Sequence, residues 1–353
     1  MIIKNSSRID ILDGFRTIAI LAVVLYHFLY RWNDDNFPYF IGFIFHYGYK
    51  GVSFFFMISG FVICYTLRKT NSFKEFWIKR FIRLFPSMLI ASFLTFTFLF
   101  FFNYKHIFED NYFRNLLISL TFLPPQLFNL ILGKENHFSY INSDYWSLWP
   151  EIQFYFISSF FYFFNKENFN RNFLFFLFSL LICYEILLFY RFNEIVIFDK
   201  IFNFLHILAY LPYFIAGTLF YFIYFDKKSI RLNFFLLIVL FSILNSSLDM
   251  ISFISNSLMF LLFILFIFYP NSLHFLTNKM ILSIGTSSYF LYLIHEYIGT
   301  VWIKNIVPYF YPHSIIAPLL IILTLIVFSV FYTKKVESKI IKFLNRKLLK
   351  KRE

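Results

Sequence analysis

The chain of 353 residues is 59% hydrophobic and only 14% charged, with a formal net charge of +13, 59 Phe and 25 Tyr. That balance excludes an ordinary soluble domain and points to a polytopic membrane protein. Its two cysteines, Cys64 and Cys183, lie in apolar runs and offer neither a disulfide framework nor a metal-binding spacing.

Lys4 and Arg8 give a basic start, but Asp13 and Arg16 interrupt the apolar approach and "LYRWNDD" offers no small-residue cleavage site. The first apolar segment is therefore expected to be a retained span, not a cleaved signal. A span needs roughly 20 mostly apolar residues. Ten stretches qualify: 11–31, 48–67, 84–103, 146–165, 172–190, 201–224, 232–247, 253–270, 281–303 and 314–333, the seventh being short. An eleventh apolar run, 115–133, carries Pro124 and Pro125 at its middle, which breaks an ordinary helix.

Charge decides how to read that run. With ten spans, 23 Lys and Arg fall on one side and five on the opposite short loops and span ends, with three more in the long 104–145 segment. The positive-inside rule then puts both termini in the cytoplasm, and an eleventh full span breaks the pattern. Residues 115–133 are accordingly expected to be re-entrant or interfacial. The expected fold is an all-α polytopic membrane bundle of about ten helices over 1–333. A basic, amphipathic tail over 334–353 is expected to lie beside anionic lipids. The positive charge is thus a topology signal, and no nucleic-acid partner is expected. No Gly-rich phosphate loop, Cys/His metal spacing or internal repeat is evident.

The first span, "LDGFRTIAILAVVLYHF", holds Asp13, Arg16 and His27. Eleven residues of helix are three turns plus about 20°, so Arg16 and His27 share a face about 16 Å apart along the axis. Asp13, three residues before Arg16, joins the same stripe. It reads equally as a first-turn acid favoured by the helix dipole or as a partner for Arg16. His27 reads either as a histidine satisfied by a neighbouring helix or as a general base. Intramembrane ionisable groups are functional candidates by default.

The Arg16–His27 spacing resembles the signature of the acyltransferase-3 family of bacterial membrane acyltransferases. "GVSFFFMISGF" (51–61), "RFIRLFP" (80–86), "YWSLWPE" (145–151) and "SSYFLYLIH" (287–295) resemble four further family segments, in the family's order. The resemblance implies acyl transfer, usually of acetyl, from cytoplasmic acyl-CoA to a hydroxyl of a cell-envelope glycan or lipid-linked sugar, in the bacterial inner membrane. It implies an essential role for His27 and an acyl-CoA role for Arg16. It places Arg80 and Arg83 in an Arg-x-x-Arg motif that suits phosphate, although basic residues there also enforce topology. Acyl-CoA is then a donor substrate, with no bound cofactor and no metal expected.

Glu151 sits in an apolar stretch where an unpaired carboxylate is costly. It is read as a site residue beside His27, open to pairing with Arg16 or another cation, to orienting the imidazole or to binding substrate, with Trp146 and Ser147 as supporting residues that it alternatively bonds in a structural role; Pro150 suggests that it starts a helix. His295 is open between a substrate contact and a structural histidine. Ser59 and Gly60 read as close-packing residues. Two rival functions remain, a transporter and a relay that passes an acyl group across the membrane without its own glycan transfer. With about twenty residues after the tenth span, no attached soluble transferase domain is expected.

Overall fold

A computed structural model describes residues 9–32, 39–103, 105–108, 112–133, 137–226, 229–246, 249–310 and 314–349. Of the basic residues that set the topology, Lys4, Arg8, Lys134, Lys227, Lys228, Lys350, Lys351 and Arg352 lie outside the described residues. The helices in chain order are α1 (Asp10–Tyr26), α2 (Tyr39–Phe45), α3 (Lys50–Arg68), α4 (Phe73–Phe102), α5 (Phe113–Ser119) and α6 (Pro125–Ile131). They continue with α7 (Leu148–Phe164), α8 (Phe169–Phe189), α9 (Val196–Phe204), α10 (Ile207–Phe225) and α11 (Ile230–Leu244). The last four are α12 (Met250–Phe268), α13 (Lys279–Ile306), α14 (Ile316–Tyr332) and α15 (Ser338–Leu348). Among the described residues there is no strand, and the fold is all-α and polytopic.

Among the described residues, seven helical stretches are long and apolar enough to cross a membrane: Asp10–Arg31, Gly42–Arg68, Phe73–Phe102, Phe169–Phe189, Ile207–Phe225, Met250–Phe268 and Ile316–Leu348. The other three expected spans are also helical. The helices α7 and α11 have only 17 and 15 residues, whereas α13 has 28 but carries Lys279, His295, Glu296 and Lys304.

Two boundaries differ from the sequence reading, and the proline break in 115–133 is where it was expected. Helix α4 begins at Phe73, not 84, because Ser72 caps it by accepting from the Glu75 N–H at 3.2 Å. Arg80 and Arg83 therefore sit within a helix. The expected span 201–224 is broken between α9 and α10. Residues 115–133 form two short helices, with Pro124 as the N-cap of α6 and Pro125 as its first residue.

The described chain divides into two compact units, one drawn from Met1–Ile58 and Asn245–Val336, the other from Ser59–Leu244 and Glu337–Glu353, so the division falls inside α3. In the first unit α1 lies along α13, which lies along α14. Lipid offers no hydrophobic drive for such pairing, so backbone approach and hydrogen bonds must supply it. Both are present. A Cβ on Gly285 would come within 1.9 Å of the Asp13 carbonyl oxygen, so only glycine permits the α1–α13 spacing. Thr17 Oγ1 donates to the Ile281 carbonyl at 2.6 Å. Phe15 fills the space beside them, its ring 5.5 Å from Phe54 and 5.3 Å from Phe263.

The second unit is centred on α10, which is buried along nearly its whole length and packs on α7, α8 and α11. A helix apolar all round belongs inside. The stacked Phe154 and Phe214 rings, 4.4 Å apart, lock α7 to α10, and Gly60 lets α3 meet the Phe214 carbonyl. Helix α8 is its opposite: Phe175 and Phe189 are 76% and 79% exposed, as lipid-facing rings should be.

Candidate active site

In the first unit the polar residues of α1 fall at its two ends. Asp13 stands in the first turn and accepts from Arg16 Nη1 at 2.9 Å, so it fills both roles open to it from sequence. Its carboxylate is buried, while the Arg16 side chain is 26% exposed. At the far end α1 passes into a π-helical turn, His27–Arg31, in which the Trp32 N–H donates to the His27 carbonyl at 3.1 Å. Such i to i+5 turns are rare and favour functional positions.

His27 is 4% exposed. Its Nδ1 lies 3.2 Å from Oε1 of Glu296, a fully buried carboxylate on α13. The same oxygen is 3.3 Å from Trp32 Nε1 and 3.5 Å from Arg31 Nη1. His295, the residue before Glu296, sets its ring edge-on to that of His27 at 5.0 Å. Its own Nδ1 is 2.8 Å from the Tyr292 carbonyl. A buried imidazole with a carboxylate beside one nitrogen is chemically able to accept and return a proton.

In the second unit Glu151 occupies the first turn of α7, as Pro150 suggested. Its Oε1 accepts from Ser59 Oγ at 3.0 Å and from Tyr155 Oη at 2.5 Å, rather than from Trp146 or Ser147. The Arg80 guanidinium lies 5.4 Å from the Tyr155 ring centroid and the same distance from that of Phe76, and its Nη2 donates to Thr66 Oγ1 at 3.0 Å. Arg83 instead reaches Glu337, the residue before α15, at 2.8 Å. Trp146 lies against His206 and Tyr210, with ring centroids 5.0 and 5.2 Å away. Ser147 Oγ donates to the Asp144 carbonyl at 3.1 Å.

The structure thus brings together Asp13 with Arg16, and His27 with His295, in one unit, and Glu151 with the Tyr155 ring that Arg80 covers in the other. Ser59, read from sequence as a packing residue, is a hydrogen-bond donor to Glu151. Sequence reasoning passed over Glu296. Its carboxylate lies beside the His27 ring, from 269 positions away in the chain. Its sequence signal was an acid buried within an expected span, next to a histidine already under consideration.

These residues lie within a recognisable family. A family model described as an acyltransferase domain matches residues 9–333. Over 85 residues, 22% of this chain, the sequence is 32% identical to the peptidoglycan O-acetyltransferase OatA of Listeria monocytogenes serovar 1/2a, of which that stretch is 12%. It is 33% identical over 93 residues to a Staphylococcus aureus (strain COL) protein carrying an O-acetyltransferase name, covering 25% of this chain and 13% of that protein. A Bacillus subtilis (strain 168) protein with a provisional peptidoglycan O-acetyltransferase name is 31% identical over 90 residues, 24% of this chain and 12% of its own. The match therefore spans about an eighth of the length of these relatives. No solved structure matches the chain. From the match over 9–333, the chain belongs to this family of membrane acyltransferases.

Proposed function

We propose that the protein transfers an acetyl group from acyl-CoA to a hydroxyl of a cell-envelope glycan, with His27 as general base. The observation that carries this reading is the buried His27 imidazole, about three helical turns from Arg16 on one helix, in a chain that matches an acyltransferase family. A nitrogen of the ring takes the acceptor hydroxyl proton as the oxygen attacks the thioester carbonyl. The C–S bond breaks, and the departing CoA sulfur takes the proton back from the imidazolium.

Phosphate contact by Arg16, Arg80 and Arg83 belongs to the same proposal. Guanidinium groups suit phosphate because they offer paired donors. Each is engaged without ligand, so binding has to compete with Asp13, with Thr66 or with Glu337 respectively. An envelope glycan acceptor is supported by the peptidoglycan named for two of the relatives. Residence in the bacterial inner membrane with both termini cytoplasmic is supported by the bias of Lys and Arg between alternate loops. The amphipathic α15, with Lys339, Lys342, Arg346 and Lys347, suits anionic lipid headgroups.

The test is His27→Ala in membranes supplied with labelled acetyl-CoA and acceptor. Transfer is expected to fall by about 10²–10⁴. Full transfer by that variant overturns the assignment of His27. Comparing envelope glycans of a deletion strain and its parent by mass spectrometry identifies the acceptor through an acetyl-sized loss. Uptake of acetyl from CoA by purified protein, without glycan modification, points instead to an acyl relay.

A further inference from the structure

We propose that Glu296 is the positioning residue for His27, and that the π-helical turn His27–Arg31 is the device that brings them together. This inference rests on reading His27 as the base. Three groups of one short segment meet a single oxygen, Glu296 Oε1: His27 Nδ1 at 3.2 Å, Trp32 Nε1 at 3.3 Å and Arg31 Nη1 at 3.5 Å. In an α-helix residue i+5 points about 140° away from residue i, so His27 and Trp32 could not serve the same atom. The π turn closes from i to i+5 and brings Trp32 back over His27, with Arg31 between them. Helix α13 is pressed onto this turn. A Cβ on Gly299, three residues after Glu296, would lie 2.1 Å from Cζ of Phe28.

The chemistry explains why the arrangement is worth its cost. Burying a carboxylate completely is expensive unless cations and donors meet it. Arg31 and Trp32 do so, and they fix the carboxylate's orientation. A carboxylate held 3.2 Å from Nδ1 favours the tautomer with the proton on Nδ1, so that Nε2 carries the lone pair that takes the acceptor's proton. When that proton arrives, the carboxylate stabilises the charge that develops on the ring. Glu296 itself need touch neither donor nor acceptor.

The experiment uses the full chain in lipid nanodiscs with Glu296→Gln. The amide keeps the shape but can donate to Nδ1, which favours the wrong tautomer. The expected result is a fall in kcat of about 10²–10⁴, comparable to losing the orienting acid of a catalytic triad. KM for acetyl-CoA should stay within about threefold, because the donor is not what Glu296 holds. Nitrogen-15 NMR of the histidine rings, with the His27 signal assigned by its loss in His27→Ala, should show an Nδ1–H tautomer in the parent and its loss in the variant. A merely structural role for Glu296 does not predict that change.

Should Glu296→Gln fail to fold, Trp32→Phe and Arg31→Lys keep the ring and the charge while loosening the carboxylate. They are expected to lower kcat by roughly three- to tenfold, with a weakened tautomer preference. An unchanged tautomer together with an unchanged kcat, in whichever variants fold, overturns the inference. The two readings fail separately. Full transfer by His27→Ala removes the base, whereas an inactive His27→Ala beside a fully active Glu296→Gln removes only the positioning role.

Discussion

The two ends of α1 place ionisable groups in the same helix by different means. At the first end Asp13 and Arg16 are three residues apart and satisfy each other on one helix face. At the second end His27 is met by Glu296, on a helix that begins more than 250 residues later. The first pair holds together wherever α1 is helical. The second exists only once α13 has docked, so it reports tertiary structure and can be made to depend on it. A local pair is suited to making a charge tolerable. A remote pair is suited to holding a reactive ring in one orientation.

The comparison predicts a steep order of effects. At the remote end, His27→Ala should cost about 10²–10⁴ in transfer while the fold survives, as judged by size-exclusion behaviour and thermal unfolding in detergent. Next, Gly285→Val forces a Cβ against the Asp13 carbonyl, which a built Cβ already approaches to 1.9 Å. It should destabilise the protein by about 3 kcal/mol, since α1 and α13 cannot part without losing the remote pair as well. Unchanged thermal unfolding of that variant breaks the claim that close backbone approach holds these helices. In the second unit, Arg83→Ala strands the buried Glu337 carboxylate, but the arginine is one-third exposed, so a loss of about 1 kcal/mol is expected. A double-mutant cycle with Glu337→Ala isolates the coupling. At the local end Asp13→Asn should change stability by only about 0.5 kcal/mol, the scale of a pair within one helix. An effect as large as that of Gly285→Val contradicts the local reading.

The smallest effect concerns pH. Asp249 caps α12 by accepting from the Ser252 N–H at 2.7 Å, and that bond holds its carboxyl below the ordinary aspartate range. Because the folded value is depressed, the stabilisation is complete above the ordinary aspartate pKa of about 3.9 and is lost as pH falls through the lower folded value. A stability profile in acid should therefore show a component that Asp249→Ala lacks.

Much of the fold could be read from the chain because lipid imposes simple demands on it. Apolar length located each membrane helix, and Pro124 with Pro125 kept 115–133 from being one span. The two errors have separate causes. The sequence reading stopped α4 at its basic run, yet Ser72 caps the helix ahead of Lys74, Lys79, Arg80 and Arg83. The break between α9 and α10 was hidden because both sides are apolar. Of the candidate site, Arg16 and His27 were legible through helical arithmetic, and Asp13 through its spacing from Arg16. Glu296 was not, because no local period links it to His27. Nor was the π turn, since its extra residue leaves no signature in the pattern of apolar side chains.

One feature of the second unit bears on how the chain is made. Where α9 stops and α10 starts, the Phe204 carbonyl accepts from Trp149 Nε1 at 2.7 Å and Gln153 Nε2 at 2.9 Å. The Ile207 N–H donates to Gln153 Oε1 at 3.0 Å. Exposed backbone groups are not tolerated in hydrocarbon. The backbone groups freed at this corner are therefore met by side chains of α7. Synthesis from the N-terminus delivers α7 before α10, so the residues that meet this corner are made ahead of the corner itself.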